Sequence, residues 1–148
     1  MVELIFVIVI LGILAAVAIP KLAATRDDAK MARLAQNIMT TAFEISSYAV
    51  AGNDVDPDFK VMSNTATMMD KEGEVVLSAD QADYNVGSAS PCVRLAIDRN
   101  VSGGVLYSVE LEIDTPNSGV DELCDRLHSI VEKGVFPITL RGQSVTYD

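Results

Sequence analysis

The sequence predicts an α+β fold, a long N-terminal α-helix packed on a small antiparallel β-sheet head, and three observations lead there. An uninterrupted apolar run opens the chain, an amphipathic stripe at helical spacing continues it, and the later residues alternate apolar and polar at strand spacing around glycine turns. The expected organisation is a helix over 1–51, hydrophobic over 1–20 and amphipathic over 21–51, then a loop over 52–73. An antiparallel head follows over 74–148, with a short helix at 120–133. At 148 residues the length suits one domain, and 49% hydrophobic content excludes intrinsic disorder.

The first element rests on Leu4 to Ile19, sixteen consecutive residues without a charge or strongly polar group. As a helix this run is about 24 Å long, short of a hydrocarbon core of about 30 Å until Met1 and Val2 are added. Glu3 then falls near one end of the segment, where it prefers a cationic partner to bare lipid. Two other readings compete: a secretory signal peptide, for which Ala16-Val17-Ala18 supplies a small-x-small cleavage pattern, and a simple single-span anchor. Against the signal peptide, the run opens on an acid, and the helical pattern continues well past the cleavage pattern.

Beyond Pro20 the helix becomes amphipathic, with Met31, Leu34, Ile38, Ala42, Ile45 and Ala49 recurring at steps of three and four. No Pro or Gly interrupts it from Lys21 to Ala51, and Gly52-Asn53 supplies a stop. A single helix over 1–51 is about 77 Å long, against a radius of gyration of about 13 Å for a 100-residue domain. The other residues cannot cover it, so its first half must be buried in lipid or against copies of itself. Gly12 costs about 1 kcal/mol against Ala in a helix, and Pro20 about 3 kcal/mol through its missing donor and ring clash. The stretch between them is the weakest part of the rod.

Charge divides the chain in the same place. Residues 1–51 hold four acids (Glu3, Asp27, Asp28, Glu44) and four bases (Lys21, Arg26, Lys30, Arg33). The remaining 97 residues hold 17 acids and 7 bases and so carry the whole net charge of −10. That excess makes nucleic acid an unlikely main ligand.

The string VELIFVIVILGILAAVAIPKL resembles the N-terminal segment of type IV pilins and the related type II secretion pseudopilins. Glu3, Gly12 and Pro20 stand at the family's spacing of glutamate, glycine and proline, and the resemblance covers about the first 33 residues. In the family, two further residues and a short basic leader precede the position of Met1, so this chain is expected to begin inside the mature N-terminus. The resemblance implies a structural subunit anchored in the inner membrane before assembly, then polymerised through its N-terminal helix into a surface filament of identical copies. It implies that the carboxylate of Glu3 neutralises a neighbouring subunit's N-terminal amine, and that the helix between Gly12 and Pro20 opens in the filament. It also implies a prepilin peptidase and a cytoplasmic ATPase as partners. A pseudopilin of a type II secretion system is the nearest alternative. The calcium loop and the aromatic, Gly-rich stretch expected of a major pseudopilin have no clear counterpart here.

In the head, Val61 to Lys71 reads as a short helix, and Glu74 to Ser78, Cys92 to Arg99 and Val105 to Asp114 as strands. Val93, Leu95 and Ile97 alternate with Arg94 and Asp98, and Val109, Leu111 and Ile113 with Glu110 and Glu112, around a hairpin turn at Ser102-Gly103-Gly104. Val120 to Lys133 reads as a helix with Leu123, Leu127, Ile130 and Val131 on one face, and Ile138 to Tyr147 as a final strand or hairpin broken at Arg141-Gly142-Gln143.

Chemistry-bearing groups are few, with one His, no Trp and 5% aromatics. The acidic loop Asn53-Asp54-Val55-Asp56-Pro57-Asp58 misses the EF-hand template, which wants Gly and Glu where Phe59 and Thr65 stand, so it reads as solvated and no metal is expected. Cys92 and Cys124 close a loop of about 30 residues if the compartment is oxidising, a bridge that contributes about 3 to 4 kcal/mol in the chain-entropy account. In pilins such a pair staples the displayed C-terminal region, although here it falls earlier. The alternative is Cys124 with His128 one helical turn later, as a thiolate and base or as two metal ligands. Asn100-Val101-Ser102 is an N-x-S sequon, and Asp98 ahead of it resembles the extended acidic form used by some bacterial oligosaccharyltransferases, making Asn100 a glycosylation candidate. No phosphate loop, dinucleotide fingerprint, paired-His motif or nucleophile elbow occurs. The expectation is a structural protein without catalytic residues or cofactor.

Overall fold

A computed structural model describes residues 2–52, 55–56, 58–102, 105–131 and 133–141. Helix α1 (Val2–Gly52) runs unbroken through Gly12 and Pro20. Its inner half buries Met31, Leu34, Ala35, Ile38, Thr41, Ala42, Ile45 and Ala49, which contains the whole stripe read from the spacing. Every residue from 2 to 30 is exposed. The helix is therefore one element with two environments.

The connection after α1 carries two helices, α2 (Phe59–Met62) and α3 (Asn64–Glu72), where one was expected from Val61 to Lys71. Ser63 makes the break. Its backbone is extended, and its hydroxyl accepts from the Ala66 N–H at 3.0 Å, so it caps α3 and cannot continue α2. Asp58 caps α2 in the same way through Lys60 N–H, which brings Phe59 into the helix and the core.

Among the described residues, five strands form one antiparallel sheet in sequential order: β1 (Val75–Leu77), β2 (Gln81–Val86), β3 (Ala89–Ser102), β4 (Val105–Asp114) and β5 (Ile138–Arg141). β4 has the bounds the alternation predicts, and β1 is shorter by a residue at each end. β2 was not anticipated. Its Ala82, Tyr84 and Val86 point into the core in strict alternation, but Ala, Asp and Asn are weak strand formers and hid the pattern. β3 begins three residues before the expected Cys92, at Ala89, because β2 pairs with it there across a two-residue turn at Gly87-Ser88. The last strand is described as far as Arg141; the rest of the expected hairpin, and the glycines of the expected turn at 103–104, lie outside the described residues.

Helix α4 (Glu122–Ile130) is shorter at both ends than the expected 120–133. Asp121 caps it through the Leu123 N–H at 2.9 Å, and Val131 ends it by turning into extended backbone, where its side chain is buried. Leu127 is buried as expected, but Ile130 is 45% exposed and does not belong to the packed face. The inner half of α1, α2 to α4 and the inward side chains of the sheet form one apolar cluster.

Candidate functional site

Three features carry the chemistry of this chain: the exposed half of α1, the bridge that ties β3 to α4, and two carboxylate clasps, one tying α1 to α3 and one tying the β2–β3 turn to α4. Glu3, Gly12 and Pro20 all lie on the first of these. At 100° and about 1.5 Å per residue they point in different directions along about 26 Å of helix. They punctuate a surface and do not converge on a site.

Gly12 is informative by what surrounds it. A β-carbon placed there meets nothing within 4 Å. Its missing side chain therefore accommodates no neighbour among the described residues, while it costs helix propensity. Pro20 likewise weakens a helix whose surroundings offer no compensating contact, since the residues beside it are exposed. Around these two, large apolar side chains such as Leu4, Phe6, Leu11, Ile13, Leu14 and Ile19 are more than half exposed. α1 is a helix long and apolar enough to span or anchor a membrane, and the apolar part of it is unburied.

Cys92 on β3 and Cys124 on α4 form a disulfide, both side chains fully buried, with Cα atoms 5.6 Å apart. His128 packs over it, with Nε2 at 3.3 Å from Cys124 Sγ and 3.5 Å from Cys92 Sγ. The Nε2–H donates to the Cys92 carbonyl at 2.8 Å, and Nδ1 has the Asp125 carboxylate at 3.9 Å. From sequence, Cys124 and His128 lacked a third group; the fold supplies Cys92, and the three donor atoms lie within 4.8 Å of one another. With the sulfurs bonded to each other there is no thiolate to act as nucleophile or metal ligand, so in this state the cluster is a staple. Its closed loop spans 32 residues, which contributes about 3 to 4 kcal/mol in the chain-entropy account.

Two acidic clasps were missed from sequence. Glu44, half-buried on α1, accepts from the Ser63 hydroxyl at 2.6 Å, the Thr65 N–H at 3.0 Å and the Thr65 hydroxyl at 2.9 Å, and so caps α3 from another element. Burial pushes its carboxyl up, but these bonds and one from the Asn64 backbone outweigh burial and hold it below its ordinary value. Its only sequence signal was a polar residue beside the stripe at Ala42 and Ile45. Asp121 caps α4 with one oxygen and with the other accepts from the Ser88 N–H and hydroxyl, both at 3.0 Å, so the β2–β3 turn is tied to α4. The Ser88 backbone and side chain, then the Leu123 backbone, hold the Asp121 carboxyl below its ordinary value. Gly87 makes this possible: its φ is +57°, and a β-carbon there runs into the Asp121 carboxylate.

The remaining candidates fall apart as sites. Of the acidic loop, Asp56 accepts from Asp58 N–H and Asp58 caps α2, both in local turns, while residues 53, 54 and 57 lie outside the described residues. Asn100 is exposed near the end of β3. Compared with family models, with curated proteins and with solved structures, the chain matches none of them.

Proposed function

We propose that this chain is the structural subunit of a type IV pilus, held in the inner membrane by the outer half of α1 and then polymerised through that half into an extracellular filament. The observation that carries the reading is the apolar half-helix at residues 2–22, exposed throughout and punctuated by Gly12, where no described residue would meet a β-carbon, and by Pro20. Lipid covers such a surface before assembly; in a filament, identical helices cover it, and close packing there gives a glycine and a helix-weakening proline a use they lack in the monomer. Glu3 fits as the residue that fixes register, because a carboxylate among apolar helices is tolerable only when paired, and a neighbouring chain's terminal amine is such a partner. The disulfide suits an oxidising compartment outside the cytoplasm.

Under this reading the chain has no catalytic role, and the energy of extracting it from the membrane comes from an assembly ATPase. The test is to shear filaments from producing cells, image them and identify their main polypeptide. This chain as the principal component supports the proposal. Cells that make the chain but carry it only in short periplasmic assemblies would favour a secretion pseudopilin instead.

A further inference from the structure

We propose that Asn100 is an acceptor for N-linked glycosylation, the substrate being an oligosaccharide carried on a polyprenyl pyrophosphate. Asn100-Val101-Ser102 is the single N-x-S/T sequence in the chain, and Asp98 stands two residues before it. The structure adds three facts the motif does not contain.

The first is orientation. Along β3, Val93, Leu95 and Ile97 are buried in the core, so by strand alternation Asp98 and Asn100 lie on the opposite face, and both are exposed. The acidic residue and the acceptor are thus presented together, away from α1. Opposite Asn100 stands Ser108, a small residue that leaves room for a sugar.

The second is the open edge. β2 accompanies β3 only as far as the Gln81 and Ala96 pair, and among the described residues β5 pairs with β4 as far as Val109 opposite Arg141. Past the Ile97 N–H, which donates to the Asp80 carbonyl at 2.8 Å, β3 has only β4 beside it among the described residues. Among the described residues the sequon therefore lies where β3 is paired on one side only, so a transferase can reach that edge without unpairing β2 from the core.

The third is a weak point in the right place. The β3–β4 register shifts between Asn100 and Val101, the step after the acceptor, and Val101 is 57% exposed. Because Ser108 and Leu106 oppose the consecutive Asn100 and Val101, the extra residue is Tyr107 on β4, and the ladder that holds the acceptor to its partner strand is broken beside it. Arg99, ion-paired with Asp80, keeps the strand before it in place.

In the reaction, the Asn100 carboxamide nitrogen forms a bond to C1 of the first sugar. The bond between C1 and the pyrophosphate oxygen breaks, and the polyprenyl pyrophosphate leaves with the electron pair. The nitrogen gives up one proton to solvent, and nothing is oxidised or reduced. The inference rests on the extracytoplasmic head of the proposed function but not on polymerisation.

The test uses the full chain in detergent, a bacterial oligosaccharyltransferase that requires the acid two residues before its Asn, and a polyprenyl-pyrophosphate oligosaccharide, with intact mass as readout. The expected result is one glycan per chain, mapped to the peptide carrying Asn100, and at least a ten-fold loss of product in each of Asn100→Gln, Ser102→Ala and Asp98→Ala. A chain left unmodified while a synthetic 94–106 peptide is modified would overturn the proposal, as would failure of that peptide with a transferase active on its own acceptor. A glycan persisting in Asn100→Gln would overturn it too. No filament or cell enters the reaction, so this outcome is independent of whether the chain assembles.

Discussion

The two halves of α1 share one backbone and have opposite surroundings. Residues 31–52 place a stripe toward the core and polar residues elsewhere, so the head closes over them; residues 2–22 are apolar all round apart from Glu3 and Lys21, and the head leaves them bare. An amphipathic face specifies an intramolecular partner, whereas a helix without a polar face needs a continuous apolar environment that 97 further residues cannot enclose. The half that the subunit stabilises is thus separate from the half that it presents.

That contrast sets the largest expected effect. Ile45→Ala, in the buried half, should lower the unfolding free energy of the detergent-solubilised chain by about 2 to 5 kcal/mol in denaturant titration. Ile10→Ala, half exposed, should leave the unfolding of the head unchanged within error. Equal losses from the two would erase the distinction.

Next come two changes that act on one half each through the backbone. Glu44→Gln removes a carboxylate that caps α3 and should cost about 1 kcal/mol at neutral pH. Because the folded state holds this carboxyl below its ordinary value of 4.5, its contribution is complete above that value and disappears as the pH falls below it. The variant should therefore show a flatter acid limb in a stability–pH profile, with the Asp121 part of that limb retained. Gly12→Ala should raise the helix stability of the bare half by up to about 1 kcal/mol, read as increased amide protection around residue 12 in detergent. Lost protection there would mean that the glycine serves the isolated subunit after all.

The smallest effect belongs to Arg126, which reaches from α4 to Asp28 on the bare half at 2.7 Å and to Glu122 at 2.8 Å. These are exposed ion pairs, so Arg126→Ala should leave the unfolding midpoint almost unmoved, with any difference fading in salt.

Legibility in the sequence follows the same division. Periodicity located the stripe on α1 and the alternating strands β3 and β4, because those patterns reflect burial on one face and the burial is what the fold enforces. β2 escaped because Ala82 and Asn85 carry little strand preference; the strand exists through pairing on both sides. Ser63, Asp121 and Glu44 decide helix ends by hydrogen bonds, two of them reaching across elements; Ser63 and Asp121 are local cap residues, whereas nothing near Glu44 in the sequence points to α3. Of the candidate site, Glu3, Gly12 and Pro20 were visible as punctuation in an apolar run, while the approach of Cys92 to His128 depends on α4 crossing the start of β3.

On the proposed reading, residues before about 26 contribute nothing to the folded head and find cover only outside the subunit. Sedimentation and thermal unfolding of a chain beginning at Arg26, beside the full chain transferred out of detergent, test it directly. The expected result is a monomeric, cooperatively unfolding truncated protein with the midpoint of the parent, and self-association of the full chain. A truncated chain that fails to fold, or a full chain that stays monomeric in water, would contradict it.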